Sequence, residues 1–368
     1  MTEVAGALAG LRLRSLTCIP VEVPLRYVLG TSAATVRAAP LLLVEVVTEQ
    51  GVTGRSYVFC YRRSGAKSIA LVLDDAFDLV RGDNVAPLAI AAKLQRRFAL
   101  IGVTGVVRMA LSALDMALWD ALAVAAGVPL TCLLGGKPRP VRAYNSCGLG
   151  LMSPQAAADE AEALLEGGMR AVKLRLGHAT LAEDLAVTRA VRSRLPDAVD
   201  LLVDYNQALS RIEALARGRA LQSEGVAWLE EPIRHDDYAG YATLVRELKT
   251  PVQIGENFSE PRSMAAALAA GAADFVMPDL ERIGGVTGWR QAAGLASIHG
   301  IEMSSHLFPE VSAHLLAATP TRHWLEFVDW ACPLLEQPLR IEDGLAIVSD
   351  RPGNGLEWNN DAVERYRF

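Results

Sequence analysis

From Val141 onward the chain repeats one grammar. A short apolar run ends on a polar or charged residue and is followed by a stretch rich in Ala, Leu, Glu and Arg with helical spacing. The runs are Val141–Ser146, Ala171–Leu176, Leu201–Asp204, Trp228–Glu230, Val252–Glu256, Phe275–Asp279, Glu302–His306 and Trp324–Phe327. Strands that alternate with helices pair in parallel, because each helix returns the chain to the same end of the sheet. Eight such repeats at even spacing predict an α/β fold in which the sheet closes into a barrel.

The flanks follow different rules. Leu41–Val47 and Ser56–Phe59 are β-rich and are split by the turn signal Gln50-Gly51-Val52-Thr53-Gly54, which predicts a hairpin or small sheet. Helical periodicity runs from about Ser68 to Ala126 and stops at Gly127-Val128-Pro129. Residues 1–135 are therefore expected to form an α+β unit and 136–332 the barrel. Residues 333–368, punctuated by Pro338, Gly344, Pro352 and Gly355, are expected to be irregular or β structure that returns to the first unit. At 368 residues the chain exceeds the usual reach of one core, in keeping with two unequal domains.

Charge and cysteine usage exclude several partners. A net charge of −6 with both signs interspersed creates no field for nucleic acid or anionic lipid, which leaves small molecules. Cys18, Cys60, Cys132, Cys147 and Cys332 are scattered and never form a C-x-x-C pair, so they read as reduced thiols, not a disulfide framework or a zinc site. The apolar stretch Leu111–Ala126 is interrupted by Asp115 and Asp120, which argues against a membrane span. Met1–Arg14 has no basic start followed by an apolar run, and a cytoplasmic location is expected.

Barrels of this kind carry their chemistry at the C-terminal strand ends, where the following loops share one mouth. The strand ends here are Ser146, Lys173 with Arg175, Asp204, Glu230, Glu256, Asp279, His306 and Glu326. A single acid at such a position ordinarily pairs with a nearby Lys or Arg. Three on consecutive strands, Asp204, Glu230 and Glu256, would repel one another unless a cation joins them, and an oxygen-only set favours magnesium over zinc. Glu231 should point away from Glu230, because side chains alternate along a strand. His306 and Asp279 end neighbouring strands, and a carboxylate on one imidazole nitrogen raises the basicity of the other, as a general base needs. The remaining histidines, at 178, 235, 299, 314 and 323, read as structural. Lys173 and Arg175 lie two apart and so share the barrel-facing side, where buried cations need anionic partners such as the acids and an acidic substrate.

These residues sit in Ala171-Val172-Lys173-Leu174-Arg175, Val203-Asp204-Tyr205-Asn206-Gln207, Trp228-Leu229-Glu230-Glu231-Pro232, Gly255-Glu256-Asn257, Met277-Pro278-Asp279, Ile283-Gly284-Gly285-Val286-Thr287-Gly288-Trp289 and Met303-Ser304-Ser305-His306-Leu307-Phe308. Taken together they resemble the mandelate racemase subgroup of the enolase superfamily, over nearly the whole chain. The resemblance implies a modified TIM barrel, (β/α)₇β, with an α+β capping domain built from the N-terminal region and the C-terminal tail, and it implies a homo-oligomer. It also implies Mg²⁺ on Asp204, Glu230 and Glu256, and an acid/base pair in His306 with Asp279. Lys173 and Ser146 would contact the substrate carboxylate with help from Asn206, and Glu326 would donate a hydrogen bond to the developing enolate. One position departs from the family pattern. Arg175 stands where a second lysine serves as base on the opposite face, and a guanidinium with a pKa above ~12 is a poor base at neutral pH.

Two enzymatic functions follow, both beginning with removal of the α-proton of a 2-hydroxycarboxylate. The first is a racemase of an aromatic or apolar 2-hydroxy acid, for which Tyr27, Leu29, Ala33, Val36, Phe59, Tyr61, Leu307 and Val328 offer a wall. The alternative is an acid-sugar dehydratase that uses His306 alone and gives a 2-keto-3-deoxy acid. Arg26, Arg37, Arg55 and Arg62 near the presumed mouth would suit its polar substrate. A decayed barrel that only binds acids is the third and weakest reading.

Overall fold

The computed structural model describes residues 10–32 and 34–368. Residues 1–9 and Ala33 of the expected pocket wall lie outside the described residues. The cap begins with an antiparallel sheet of β1 (Leu13–Gly30), β2 (Thr35–Thr48) and β3 (Thr53–Phe59) in the order β1-β2-β3. Sequence patterning finds β2 and β3 but not β1, because Pro20 and Pro24 break its strand signal. Proline donates no ladder hydrogen bond and is tolerated here because β1 is an edge strand. β2 lies in the centre and buries a continuous apolar run from Ala39 to Val44.

Among the described residues four helices complete the cap: α1 (Arg63–Val80), α2 (Pro87–Arg97), α3 (Gly105–Ala125) and the short α4 (Leu130–Leu133). α3 is apolar around almost its whole circumference, the mark of a helix with neighbours on all sides. Its two acids tie it in opposite directions. Asp115 accepts from the backbone N–H of Thr287 in the barrel at 2.9 Å, and Asp120 accepts from Arg55 in β3 at 2.7 Å and from Asn354 in the C-terminal tail at 2.6 Å.

The barrel alternates strand and helix through β4 (Val141–Asn145), α5 (Pro154–Ala163), β5 (Ala171–Arg175), α6 (Leu181–Arg194), β6 (Asp200–Asp204), α7 (Arg211–Leu221), β7 (Val226–Glu230) and α8 (Tyr238–Glu247). It continues through β8 (Val252–Ile254), α9 (Pro261–Ala269), β9 (Phe275–Val276), α10 (Leu280–Ile283), α11 (Gly285–His299), β10 (Glu302–Met303), α12 (Pro309–Ala318) and β11 (Leu325–Phe327). Strands β4 to β10 pair in parallel sequence, and β11 pairs with β4. Backbone bonds from Met303 to Thr321, 2.8 Å, and from Ser305 to Trp324, 3.0 Å, close the ring. All eight anticipated strands are present, and the last is followed by a 3₁₀ turn instead of an α-helix, which makes the barrel (β/α)₇β. Capping boxes at Thr180/Glu183 and Ser210/Glu213 start α6 and α7.

The tail contains β12 (Arg340–Glu342), β13 (Leu345–Ile347) and α13 (Asn360–Tyr366). It touches both domains: β13 pairs antiparallel with β4 of the barrel, while Gly353 accepts from Leu130 at 2.7 Å and Arg367 bridges to Val21 in β1. Among the described residues no helix is long and apolar enough to cross a membrane.

Burial pushes the Asp115 and Asp120 carboxyls up to about 7 despite the N–H donors they hold. The folded state therefore keeps protons that the unfolded chain, with an aspartate pKa near 3.9, releases. Their contribution is fully present below about pH 4 and is lost as pH rises through 7. Chemical unfolding of the wild type is expected to lose a few kcal/mol at most over that interval, with a flatter profile for Asp115→Asn/Asp120→Asn at the same ionic strength. Parallel profiles would refute the assignment.

Candidate active site

Side chains two apart along a strand face the same way, so the barrel interior is built in layers. The lower layer is Tyr144, Ala171, Leu202, Trp228 and Trp324, a buried and largely aromatic plug. One step along the same strands places Lys173 above Ala171, Asp204 above Leu202 and Glu230 above Trp228. The charged ring therefore rests on an apolar floor, with the Lys173 ammonium 5.6 Å from the Tyr144 ring centroid.

Asp204, Glu230 and Glu256 come together with carboxylate oxygens all within 4.8 Å of one another. Their all-oxygen donor set and spacing fit a hard divalent cation. Lys173 balances part of this charge, at 2.7 Å from Glu230, 2.7 Å from Glu326 and 3.4 Å from Asp204. Burial alone would lower the Lys173 pKa, but Glu230 and Glu326 hold it well above the usual lysine value. Glu230 is pushed up to about 8 by burial against the pull of Lys173, with the neighbouring carboxylates adding to the rise. A carboxyl raised this far by burial and by nearby carboxylates is a group that a cation would return to its ionised form.

His306 Nδ1 donates to Asp279 Oδ2 at 2.5 Å, and its Nε2 lies 3.2 Å from Glu256 and 3.8 Å from Glu326. Burial opposes protonation of the ring, yet the charges of Glu326 and Glu256 and the bond to Asp279 raise its pKa well above the usual histidine value. Ser146 Oγ donates to Glu326 Oε1 at 2.6 Å, and the backbone N–H of Leu307 donates to Glu326 Oε2 at 2.9 Å. Against the cost of burial, Lys173 and His306 keep Glu326 ionised, at about 2, so in this state it only accepts hydrogen bonds.

Arg175 differs from the expectation that acids would surround it. Its Nη1 donates to the carbonyls of Ser146, 2.9 Å, and Gly148, 2.8 Å, and its Nη2 to Ser146 Oγ, 2.7 Å. Among the described residues it makes no ion pair, and its buried Nε has no partner. Asn206 turns toward Asp204, donating from its backbone at 2.8 Å and from Nδ2 at 3.1 Å, while its Oδ1 stays unpartnered. Glu231 faces away from the ring floor and accepts from Asn257 Nδ2 at 2.7 Å.

The cap closes over the mouth. Leu29 is buried near the tip of the β1–β2 hairpin, opposite Val36, and Ser32 beyond it donates to the Asn206 carbonyl at 3.3 Å. Gly150 permits this approach, since a Cβ there would lie 2.3 Å from the Gly30 nitrogen. Tyr61 packs against Phe59 with ring centroids 4.4 Å apart and planes tilted by 48°, and Phe59 meets Trp330 at 4.8 Å. Trp330 escapes the strand-end pattern because it lies beyond the last strand. Arg26 and Arg55 do not serve the mouth: they pair with Glu166 and Glu45. Left-handed backbone at Tyr61, Leu149, Asn206, Gln207, Glu231, Leu307 and Phe308, unfavourable for non-glycine residues, is gathered around this mouth.

Comparison with known proteins agrees with this architecture. Residues 14–135 match the N-terminal domain of the mandelate racemase / muconate lactonizing enzyme family, and residues 156–362 match the enolase C-terminal domain-like family. The chain is 33% identical over 354 residues to the L-talarate/galactarate dehydratase of Salmonella typhimurium, covering 95% of this chain and 88% of that one. A magnesium-bound enolase from alpha proteobacterium bal199 is 45% identical with a TM-score of 0.95, covering 97% of this chain and 100% of that one. An enolase from Bradyrhizobium complexed with magnesium and mandelic acid is 39% identical with a TM-score of 0.93, covering 98% and 99%. A paired match of cap and barrel, with relatives similar over most of their length, leads to one conclusion: the chain belongs to the enolase superfamily of enzymes.

Proposed function

We propose that this protein is a magnesium-dependent dehydratase of acid sugars, in which His306 is the single acid/base. The carrying observation is the confinement of Arg175. Its guanidinium is bound by two carbonyls and a hydroxyl, so the residue that the family resemblance places opposite His306 does not readily give up a proton. Lys173 is no substitute, because its acids keep it charged. One base suffices for dehydration and falls short of two-base racemisation. The similarity to L-talarate/galactarate dehydratase supports the same choice.

In this reading Asp204, Glu230 and Glu256 would hold Mg²⁺, which supplies positive charge beside the substrate carboxylate. Lys173 and Ser146 bind that carboxylate, and Asn206 keeps Asp204 oriented. With Glu256 engaged as a ligand and Glu326 protonated, the charges that hold a proton on His306 would be neutralised. Its free Nε2 then takes the α-proton, and the electron pair of the broken C–H bond delocalises into the carboxylate. The pair then expels the β-hydroxide, which takes the proton back from His306 and leaves as water. The enol that remains tautomerises to a 2-keto-3-deoxy acid. As Lys173 turns to the substrate, Glu326 loses its cation, gains a proton more readily and becomes a donor to the developing charge. The division into cap 1–135, barrel 136–332 and tail 333–368 belongs to this reading.

The contact set Phe59, Tyr61 and Trp330 favours a second reading, racemisation of an aryl or apolar 2-hydroxy acid by a member of the mandelate racemase subgroup. The mandelic acid complex of the Bradyrhizobium enolase supports it. The two readings separate in one experiment. Sugar acids and aromatic 2-hydroxy acids incubated with enzyme and magnesium in deuterated water are expected to yield a 2-keto-3-deoxy acid from the former. Deuterium at the α-carbon of recovered, unconsumed aryl acid would instead favour racemisation.

Arg175→Lys restores a titratable group on the second face and is expected to introduce α-proton exchange with an opposite-handed 2-hydroxy acid, seen by proton NMR. No gain in a folded variant would mean that the second face has no access to substrate. Lys173→Met leaves Glu230 and Glu326 buried without their cation and is expected to cost about 3–5 kcal/mol in chelator. Magnesium should recover part of that loss, as read from the thermal midpoint.

A further inference from the structure

The cap reaches the carboxylate ring through a side chain outside the strand-end pattern. Asp279 Oδ1 accepts from the backbone N–H groups of Glu281, 2.8 Å, and Arg282, 3.1 Å, capping α10, while its Oδ2 holds His306. One carboxylate thus sets both the imidazole and the helical turn that carries Arg282. The guanidinium then spans the two domains, with Nη2 donating to the Tyr61 phenol oxygen in the cap and Nη1 to Asn257 Oδ1 in the barrel. Its Cζ lies 5.4 Å from the Tyr61 ring centroid.

Asn257 continues the chain inward. Its Nδ2 donates to Glu231 Oε2 at 2.7 Å and to Glu256 Oε1 at 3.1 Å. Because Arg282 occupies the amide oxygen, the amide must present its NH₂ to the two glutamates. A flipped amide would set NH₂ against guanidinium and oxygen against carboxylates. Tyr61 enters with φ of 60°, an unfavourable backbone for a bulky residue, which the contact to Arg282 helps to maintain.

We propose that Arg282 is a positioning residue that orients the Asn257 amide, and through it Glu256, so that Tyr61 docking in the cap is coupled to the cation affinity of the ring. The inference rests on Asp204, Glu230 and Glu256 being the magnesium ligands. Two effects of Arg282 on a bound cation have opposite signs. As a nearby positive charge it repels a divalent ion, so its removal alone would tighten binding. As a positioning group its removal loosens binding.

The test is the magnesium Kd of the full chain without substrate, by isothermal titration calorimetry, for wild type, Arg282→Gln, Arg282→Lys and Tyr61→Phe. Loss of an outer partner of a metal ligand is expected to weaken binding about 10-fold in Arg282→Gln. Arg282→Lys should weaken it similarly, since lysine keeps the charge but lacks the planar fork. Tyr61→Phe deletes one hydroxyl and should weaken it about 3-fold. A tighter or unchanged Kd in folded Arg282→Gln overturns the proposal, and an unchanged Kd in Tyr61→Phe overturns the link to the cap even if the arginine variants fail to fold. Wild-type protein that binds no magnesium overturns the ligand assignment itself, an outcome distinct from normal wild-type binding with indifferent variants.

Discussion

Everything in the barrel mouth depends on how one buried ammonium is shared. Lys173 is enclosed by Glu230, Glu326 and Asp204 on a floor of aromatic rings, where charges are costly to strand and strong when paired. It neutralises only part of the ring, since Asp204 and Glu230 also converge with a further acid, Glu256. The excess negative charge makes the site receptive to a divalent cation, and Lys173 is the group an incoming carboxylate would draw away from its acids. Metal, substrate and the proton on Glu326 are thereby linked through one side chain.

The cap contributes position and enclosure to this charge balance. α3 fastens cap to barrel through Asp115 and cap to tail through Asp120, so the hairpin tip and Tyr61 approach the mouth from a fixed base. Left-handed residues around the opening show the chain held in unfavourable conformations where side chains must converge. His306 illustrates the result. Leu307 and Phe308 turn directly behind it, and the Leu307 N–H returns to Glu326, the carboxylate on the far side of Lys173.

Much of the fold was legible in the chain because its signals are local. Each barrel strand is an apolar run closed by a polar residue, and the glycine and proline punctuation around it marks the turns. The convergence of Asp204, Glu230 and Glu256 was equally readable, since consecutive parallel strands bring equivalent ends side by side. β1 was not readable, because its prolines contradict a strand unless the strand lies at an edge. Nor was Arg282, whose partners are distant in sequence: Tyr61 belongs to the cap and Asn257 follows a different strand.

The sequence by itself determined the βα rhythm, the ring of acids and the barrel-facing placement of Arg175 beside Lys173, because strand periodicity and residue chemistry require no knowledge of distant neighbours. Only the tertiary structure decided what Arg175 touches, that Lys173 is shared among three acids, and that a cap tyrosine joins the ring through Arg282 and Asn257. Those outcomes turn on which groups fill each donor and acceptor once the chain is closed, and hydrogen-bond partners from separate strands and domains meet only when the barrel and its cap have assembled.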